Sequence, residues 1–406
     1  MFEDVAAGDV LAAVAGADFT ATEAFDVEGA KRIDAITALE RTVRAAQAEI
    51  AAQAVVLLAE RRVLARGTHD PFLSVAAEVA MARGMSPSSG VGFVNYASGL
   101  EVMSHVRTAL ASGVVSEATA RAIVRECDTL DPETTGRLDE AIAPDLPGLT
   151  PRKAADLTRQ LVVTMDLSAA AEREERERAE QHITHHPSAD GVGYLVVRGP
   201  AEQMLGIHRS LQKHADMLRA KGDPRDRGTI MVNSLFERVT GQVLLDGPDV
   251  HLDILMPIDA LQGQAVAAEL AGHGPISPHL AAQLADQAAT TWYRRLFTDP
   301  TGTLVGLDTR KRLFTGLLAK WIHTRDHHRC CQAGCDRRAR HTDHIQPHAQ
   351  GGPTTQDNGQ ALCALSNQVK ELPGWNVKRT ADGGTQWTTP TGHTYTQPPP
   401  RPHRRT

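Results

Sequence analysis

An Asp343-His344 pair stands near the C-terminal end of the 406-residue chain. A carboxylate beside an imidazole suits hydrolysis of a phosphodiester. The Asp offers a hard oxygen to a divalent ion, and the His takes a proton from water near neutral pH. Asn358 follows His344 by fourteen residues and Asn367 follows by nine more, with a Gly351-Gly352 turn between. Four of the five cysteines lie in the same stretch, at Cys330, Cys331, Cys335 and Cys363. Cys330 and Cys335 form a C-x4-C knuckle which, with Cys363, offers three soft ligands of the kind zinc takes. The Met1-Phe2-Glu3-Asp4 start lacks the basic region of a secretory signal, so such a cluster reads as metal ligands before disulfides.

These groups need elements to hold them. Asp343 and His344 close a short strand-like stretch. Neighbours on a regular strand point to opposite faces, so the strand is expected to end or distort at this pair if both serve one site. Cys363, Ser366, Asn367 and Lys370 fall at i, i+3, i+4 and i+7 and share one face of a helix. A helix over about Arg310–Thr324 leads into the cysteines. Further back, Glu28–Arg66 reads as a long helix with Ile33, Ile36, Val43, Ile50, Val55, Leu57 and Leu58 on an apolar stripe. Helix starts follow at Ser86-Pro87, Ser116-Glu117 and Thr150-Pro151, the last helix running through Met165 into the mixed-charge Glu172–Arg178. Strands are expected over Tyr194–Val197 and Val250–Met256, and helices near Ala201–Ala220 and Thr229–Thr240. His182, His185 and His186 read as a surface strand or loop, Cys127 as a small buried apolar residue, and Trp375 as a core plug. The fold class is mainly α with minor β.

Composition sets the frame. Hydrophobic residues make up 41% and charged residues 23%, ordinary for globular proteins, which excludes wholesale disorder. The length suggests two or three domains. No apolar run approaches a membrane span, and the chain is expected to be soluble and cytoplasmic, with no membrane partner and its oligomeric state open. The net charge of −6 hides an asymmetry: residues 301–406 hold 15 Lys+Arg against 7 Asp+Glu, the rest 28 against 42. A basic C-terminal quarter points to a polyanion there.

The blocks Arg325-Asp326, Cys330 to Cys335-Asp336, Asp343-His344-Ile345 with Pro347-His348-Ala349 and Gly351-Gly352-Pro353-Thr354, Asp357-Asn358-Gly359, and Asn367 with Lys370-Glu371 and Pro373-Gly374-Trp375 resemble those of HNH nucleases with the ββα-metal fold. The resemblance is closest to proteins joining this nuclease to a helical domain of unknown function 222, and extends more weakly over Arg32–Leu318, where Gly222-Asp223-Pro224-Arg225 is similar to that domain. It implies a helical domain over 28–300 and a nuclease module over 325–378; the helical pattern places a connector helix over 301–324 between them, and the Pro-rich, basic composition of 397–406 reads as a disordered tail. The resemblance also implies a metal-dependent endonuclease, with Asp343 and Asn367 holding one catalytic Mg²⁺ or Mn²⁺, His344 as general base, and Asn358 pinning the loop that aims His344. The products would be a 3′-hydroxyl and a 5′-phosphate, and the substrate nucleic acid, DNA first. Lys370, Arg337, Arg338, Arg340 and His348 are candidate phosphate contacts. By the same resemblance, relatives usually carry Cys or His where this chain has Ser366. A neutral hydroxyl is a poor zinc ligand, so a Cys330/Cys335/Cys363 site is expected to hold zinc weakly or not at all unless Cys331 or His341 substitutes. The competing reading is a nucleic-acid-binding module with a vestigial HNH fold that does not cut.

Overall fold

The structure, a computed structural model, describes residues 27–66, 70–188, 191–241, 254–255, 268–271, 273–287 and 313–399. It is mainly α with minor β: a large helical N-terminal region precedes small strand and helix elements at the C-terminal end. The chain divides into two units, residues 1–174 and 175–406.

The first unit is built from α1 (Val27–Ala65), α2 (Phe72–Ala82), α3 (Pro87–Val102), α4 (Ser104–Ala111), α5 (Glu117–Glu126), α6 (Pro132–Ile142), α7 (Pro151–Met165) and the start of α8 (Leu167–Ala179). The starts use the chemistry their residues offer. Ser86 accepts the N–H of Ser89 at 3.3 Å, and Ser116 that of Thr119 at 3.1 Å, each satisfying a donor with no partner in its own helix. Thr150 supplies the extended backbone but no side-chain bond. The long helix expected through Met165 is two helices. Asp166 interrupts it, because its carboxylate accepts the N–H groups of Ser168 and Ala169, both at 3.0 Å, and so starts α8.

Phe93, Leu100, Met103, Leu110, Ile123 and Leu138 form the centre of this unit. The stripe expected on α1 is displaced: Ile33, Ile36, Val43 and Ile50 are exposed, Val55 and Leu57 pack partly, and the buried face is Ala48, Ala51, Ala54 and Leu58. Small side chains at a helix contact let the axes come close, and α1 packs on α3 and α4 along that face. By length and composition alone Glu28–Ala65 would reach across a membrane, contrary to the expectation that no run approaches a span. Cys127 ends α5 and is buried, which pushes its thiol up to about 12.

In the second unit, β1 (His182–Pro187) and β2 (Gly193–Arg198) form an antiparallel hairpin, with His182, His185 and His186 exposed on its surface. α9 (Ala201–Ala220) and α10 (Arg227–Thr240) follow as a helical pair, α10 capped by Asp226 on the N–H of Thr229 at 3.0 Å. Of the strand expected over Val250–Met256, Ile254–Leu255 is β3, and the rest lies outside the described residues. It pairs with β4 (Ala268–Leu270), which pairs with β5 (Gly274–Ile276), and α11 (Pro278–Gln287) follows. The connector helix is α12 (Gly316–Arg325); its expected beginning, through residue 312, lies outside the described residues. Then come β6 (His341–His344), β7 (Gly359–Leu362) and α13 (Ala364–Lys370), the ββα unit.

Beyond it lies a sheet that the sequence reading missed: β8 (Asn376–Arg379), β9 (Thr385–Thr388) and β10 (Thr394–Gln397), antiparallel in the order β10-β9-β8. Gln397 therefore ends a strand where a disordered tail was expected to begin, and residues 400–406 lie outside the described residues. Trp387 on β9 is fully buried and meets Trp375 edge-on, centroids 6.4 Å apart. Trp375 is buried in that core, as a plug would be.

Candidate functional site

The ββα unit is tied down from α12. The Arg325 guanidinium bonds Asp326 at 2.7 and 2.8 Å and donates to the carbonyls of Gln356 at 2.7 Å and Gly359 at 2.8 Å. Asp326 in turn accepts the N–H of Ala361 at 3.0 Å. This buried pair is stapled to β7 by backbone bonds on both sides, which offsets the desolvation a buried ion pair otherwise suffers. Gly359 makes the close approach possible: a Cβ there would stand 2.3 Å from Ile322 Cδ1 and 2.9 Å from the Phe314 ring.

Asp343 pairs with Gln360 and His344 with Gly359 across the β6–β7 ladder. The strand is thus regular through both residues and ends at His344. The two side chains take separate partners. His344 is buried; its Nε2 lies 2.9 Å from Thr354 Oγ1, and its ring meets those of Phe314 at 4.5 Å and His348 at 5.6 Å. Asp343 meets the ammonium of Lys370, the last residue of α13.

Asn358 closes the turn after His344. Its Oδ1 accepts the Gln346 N–H at 2.8 Å, and its Nδ2 donates to the carbonyls of Gln346 at 3.0 Å and Pro353 at 2.8 Å. Its own carbonyl accepts the Ile345 N–H at 2.8 Å. The turn is so tight that a Cβ on Gly352 would stand 2.0 Å from the Gln346 carbonyl oxygen and 2.8 Å from Asn358 Nδ2. Gly351 carries φ 84°, in the left-handed region glycine tolerates.

Asn367 lies on α13, which packs against both β6 and β7. Its Oδ1 is buried and, among the described residues, accepts no hydrogen bond. Gln332, Gln356 and Gln360 also hold buried carboxamide oxygens without a donor, but that of Asn367 stands on the helix that contacts the strand of Asp343, where it fits a hard divalent cation. Lys370 departs from its expected place. Its side chain is only 4% exposed, and its ammonium bonds the His344 carbonyl at 2.7 Å, Glu371 at 3.0 Å and Asp343. It faces inward, not toward phosphate in solvent.

Cys330, Cys335 and Cys363 come together: their sulfurs lie within 4.8 Å of one another, and all three are buried. Ser366 fills the fourth corner, its Oγ accepting from Cys330 Sγ at 3.2 Å and lying 3.1 Å from Cys363 Sγ. Cys363 also begins α13, where its sulfur accepts the Ser366 N–H at 3.4 Å. Hydrogen bonds from Cys330 and Cys335 hold the Cys363 thiol far below its ordinary value, while bonds to Cys330 and Cys363, together with burial, push Cys335 up. Neither suggested substitute joins the cluster. Burial first, then Asp326, pushes the Cys331 thiol up, which places it against that carboxylate, and His341 is exposed at the start of β6.

Arg337, Arg338, Arg340 and His348 are exposed. Thr354, which engages His344, and Glu371, which engages Lys370, were not singled out from sequence. Both stand inside the quoted blocks, but nothing in their spacing marks them as partners of these side chains.

Residues 36–326 match the family model described as domain of unknown function (DUF222), and residues 328–371 match that of the HNH endonuclease domain. No curated protein and no solved structure matches the chain. An HNH endonuclease domain implies a nuclease, with nucleic acid as substrate and a divalent metal as cofactor. With most of its length matched by the helical family and the ββα unit following directly, the chain belongs to the DUF222 family and carries an HNH endonuclease domain after it.

Proposed function

We propose that the protein is a metal-dependent endonuclease that hydrolyses phosphodiester bonds of DNA. The observation that carries this is the Asn367 carboxamide oxygen, buried without a donor on the helix that contacts the strand of Asp343. Asp343 and Asn367 would hold one Mg²⁺ or Mn²⁺, which when bound polarises the scissile phosphate and stabilises the departing 3′ oxygen.

The chain's own residues supply the rest. His344 Nε2 lies 2.9 Å from Thr354 Oγ1; in the tautomer that donates Nε2–H to this hydroxyl, Nδ1 would carry the basic lone pair that takes a proton from the attacking water. Asn358 holds the turn that follows the imidazole and so fixes its direction. The products are a 3′-hydroxyl and a 5′-phosphate. The basic balance of residues 301–406, with Arg337, Arg338 and Arg340 exposed, draws the polyanion in. His348, whose ring lies 5.6 Å from that of His344, would meet the same phosphate. The cysteine cluster is structural, and Ser366 makes it a weak zinc site.

The test is plasmid nicking with Mg²⁺ or Mn²⁺ varied. Wild type is expected to nick and His344→Ala to fall by at least about 100-fold. Equal traces of cleavage from both would overturn the reading in favour of a module that binds nucleic acid without cutting. One observation favours that second reading: the Lys370 ammonium sits on the carboxylate the metal needs.

A further inference from the structure

Three oxygens surround the Lys370 ammonium: Asp343 Oδ2, the His344 carbonyl at 2.7 Å and Glu371 Oε1 at 3.0 Å. Carboxylate and carbonyl oxygens around one positive charge are also what a hard divalent ion gathers. Here a lysine has gathered them. We propose that Lys370 is a built-in competitor for the divalent cation at Asp343, and that Glu371 receives its ammonium when the ion binds; this rests on the nuclease reading of the site above.

The geometry explains why both residues are needed. The Lys370 side chain is 4% exposed, so its charge cannot simply swing into water when an ion takes Asp343. A buried ammonium stripped of its counter-ion is strongly disfavoured. Glu371 is already in contact and its side chain is 64% exposed, so it can take the whole pairing while the lysine stem stays in place. Lys370 also ends α13, where the unsatisfied carbonyls favour a cation, so the ammonium has reason to remain there after losing Asp343. The ion thus displaces an ammonium rather than entering a vacant carboxylate. Its affinity is set by the contest between the two cations as much as by the ligands.

The experiment is calorimetric titration of Mn²⁺ into the full-length chain, without nucleic acid, so that affinity is read apart from activity. Loss of binding in Asp343→Asn places the ion at this carboxylate. Lys370→Met is then expected to bind Mn²⁺ roughly tenfold more tightly than wild type, and Lys378→Gln, which removes an exposed charge elsewhere in the module, to change it less than about twofold. Glu371→Gln is expected to weaken binding by about threefold or more, and to do so much less in the Lys370→Met background. Mn²⁺ binding that is the same in Asp343→Asn and wild type overturns the metal site itself. Binding at Asp343 that is unchanged or weaker in Lys370→Met overturns the competition alone. If Lys370→Met does not fold, Glu371→Gln decides: a weakening no larger than that of Asp336→Asn, another exposed carboxylate of the module, also overturns it.

Discussion

The hydroxyl of Ser366 stands 3.1 Å from the sulfur of Cys363. Cys330 donates to the same hydroxyl at 3.2 Å, so a neutral oxygen closes a corner whose other three positions are buried sulfurs. A tetrahedral zinc site draws its strength from four ligands, the thiolates above all. Here hydrogen bonds among the thiols and the hydroxyl join the knuckle to the start of α13. The local fold can therefore be held together without the ion.

Replacing that one oxygen by sulfur is expected to convert the cluster. Ser366→Cys should retain one zinc per chain through dialysis against chelator, and its melting temperature should rise by about 5 °C or more when zinc is added, because metal bound only by the folded form stabilises it. Wild type should lose zinc under the same dialysis with its melting temperature unchanged. Elemental analysis and thermal denaturation read both outcomes. A wild-type chain that keeps stoichiometric zinc would show that the hydroxyl, or a ligand recruited in solution, suffices.

Asn358 is a sharper target than an alanine scan suggests, since its amide both accepts and donates. Asn358→Asp keeps the shape and the acceptor for the Gln346 N–H, but turns a carboxylate oxygen toward the carbonyls of Gln346 and Pro353, which lose their shared donor. The expected cost is about 1–3 kcal/mol in unfolding free energy. Nicking should fall further than stability explains, by about 100-fold, because the turn that directs His344 is loosened. Urea titration and single-turnover nicking measure the two separately. A variant that loses stability but keeps its nicking rate would detach Asn358 from the direction of His344.

The parts of the site that the sequence made readable are those set by local geometry. Gly351 and Gly352 announce a turn, the first through its left-handed φ and the second through its close approach to Gln346, and Cys363 to Lys370 announce one helix face because their spacing is helical. What stayed hidden depends on packing between elements. A lysine at the end of a short helix reads as solvent-facing, and only the neighbouring strand shows that Lys370 points inward to Asp343. The alanine face of α1 was overlooked because periodicity weights large aliphatics, whereas close helix contact favours small ones. The break at Asp166 left a signal, an Asx residue ahead of Ser168, that the charge run behind it obscured. The β8–β10 sheet also left signals, Thr385 and Trp387 alternating between the Gly383-Gly384 and Thr391-Gly392 turns and Thr394-Tyr395-Thr396 following the second, but no catalytic residue drew attention to them.

Acid should loosen the module through His323. This histidine lies on α12 with its ring 5.8 Å from that of His328. Burial first, then the neighbouring His328, holds its pKa below the ordinary histidine value, against the opposing pull of Asp326. The unfolded chain therefore takes up a proton at a higher pH than the folded one. Stability from this group is complete above the ordinary histidine pKa of about 6.5 and drains away as pH falls toward the lower, folded value. Three of the four tryptophans, Trp321, Trp375 and Trp387, lie in the C-terminal module, so their fluorescence reports its unfolding. The urea midpoint should rise between about pH 5 and pH 7.5, and His323→Gln should flatten that rise while leaving the plateau near its wild-type level. If the variant keeps the wild-type slope, the proton is taken up elsewhere, and α12 does not carry the acid sensitivity of the module.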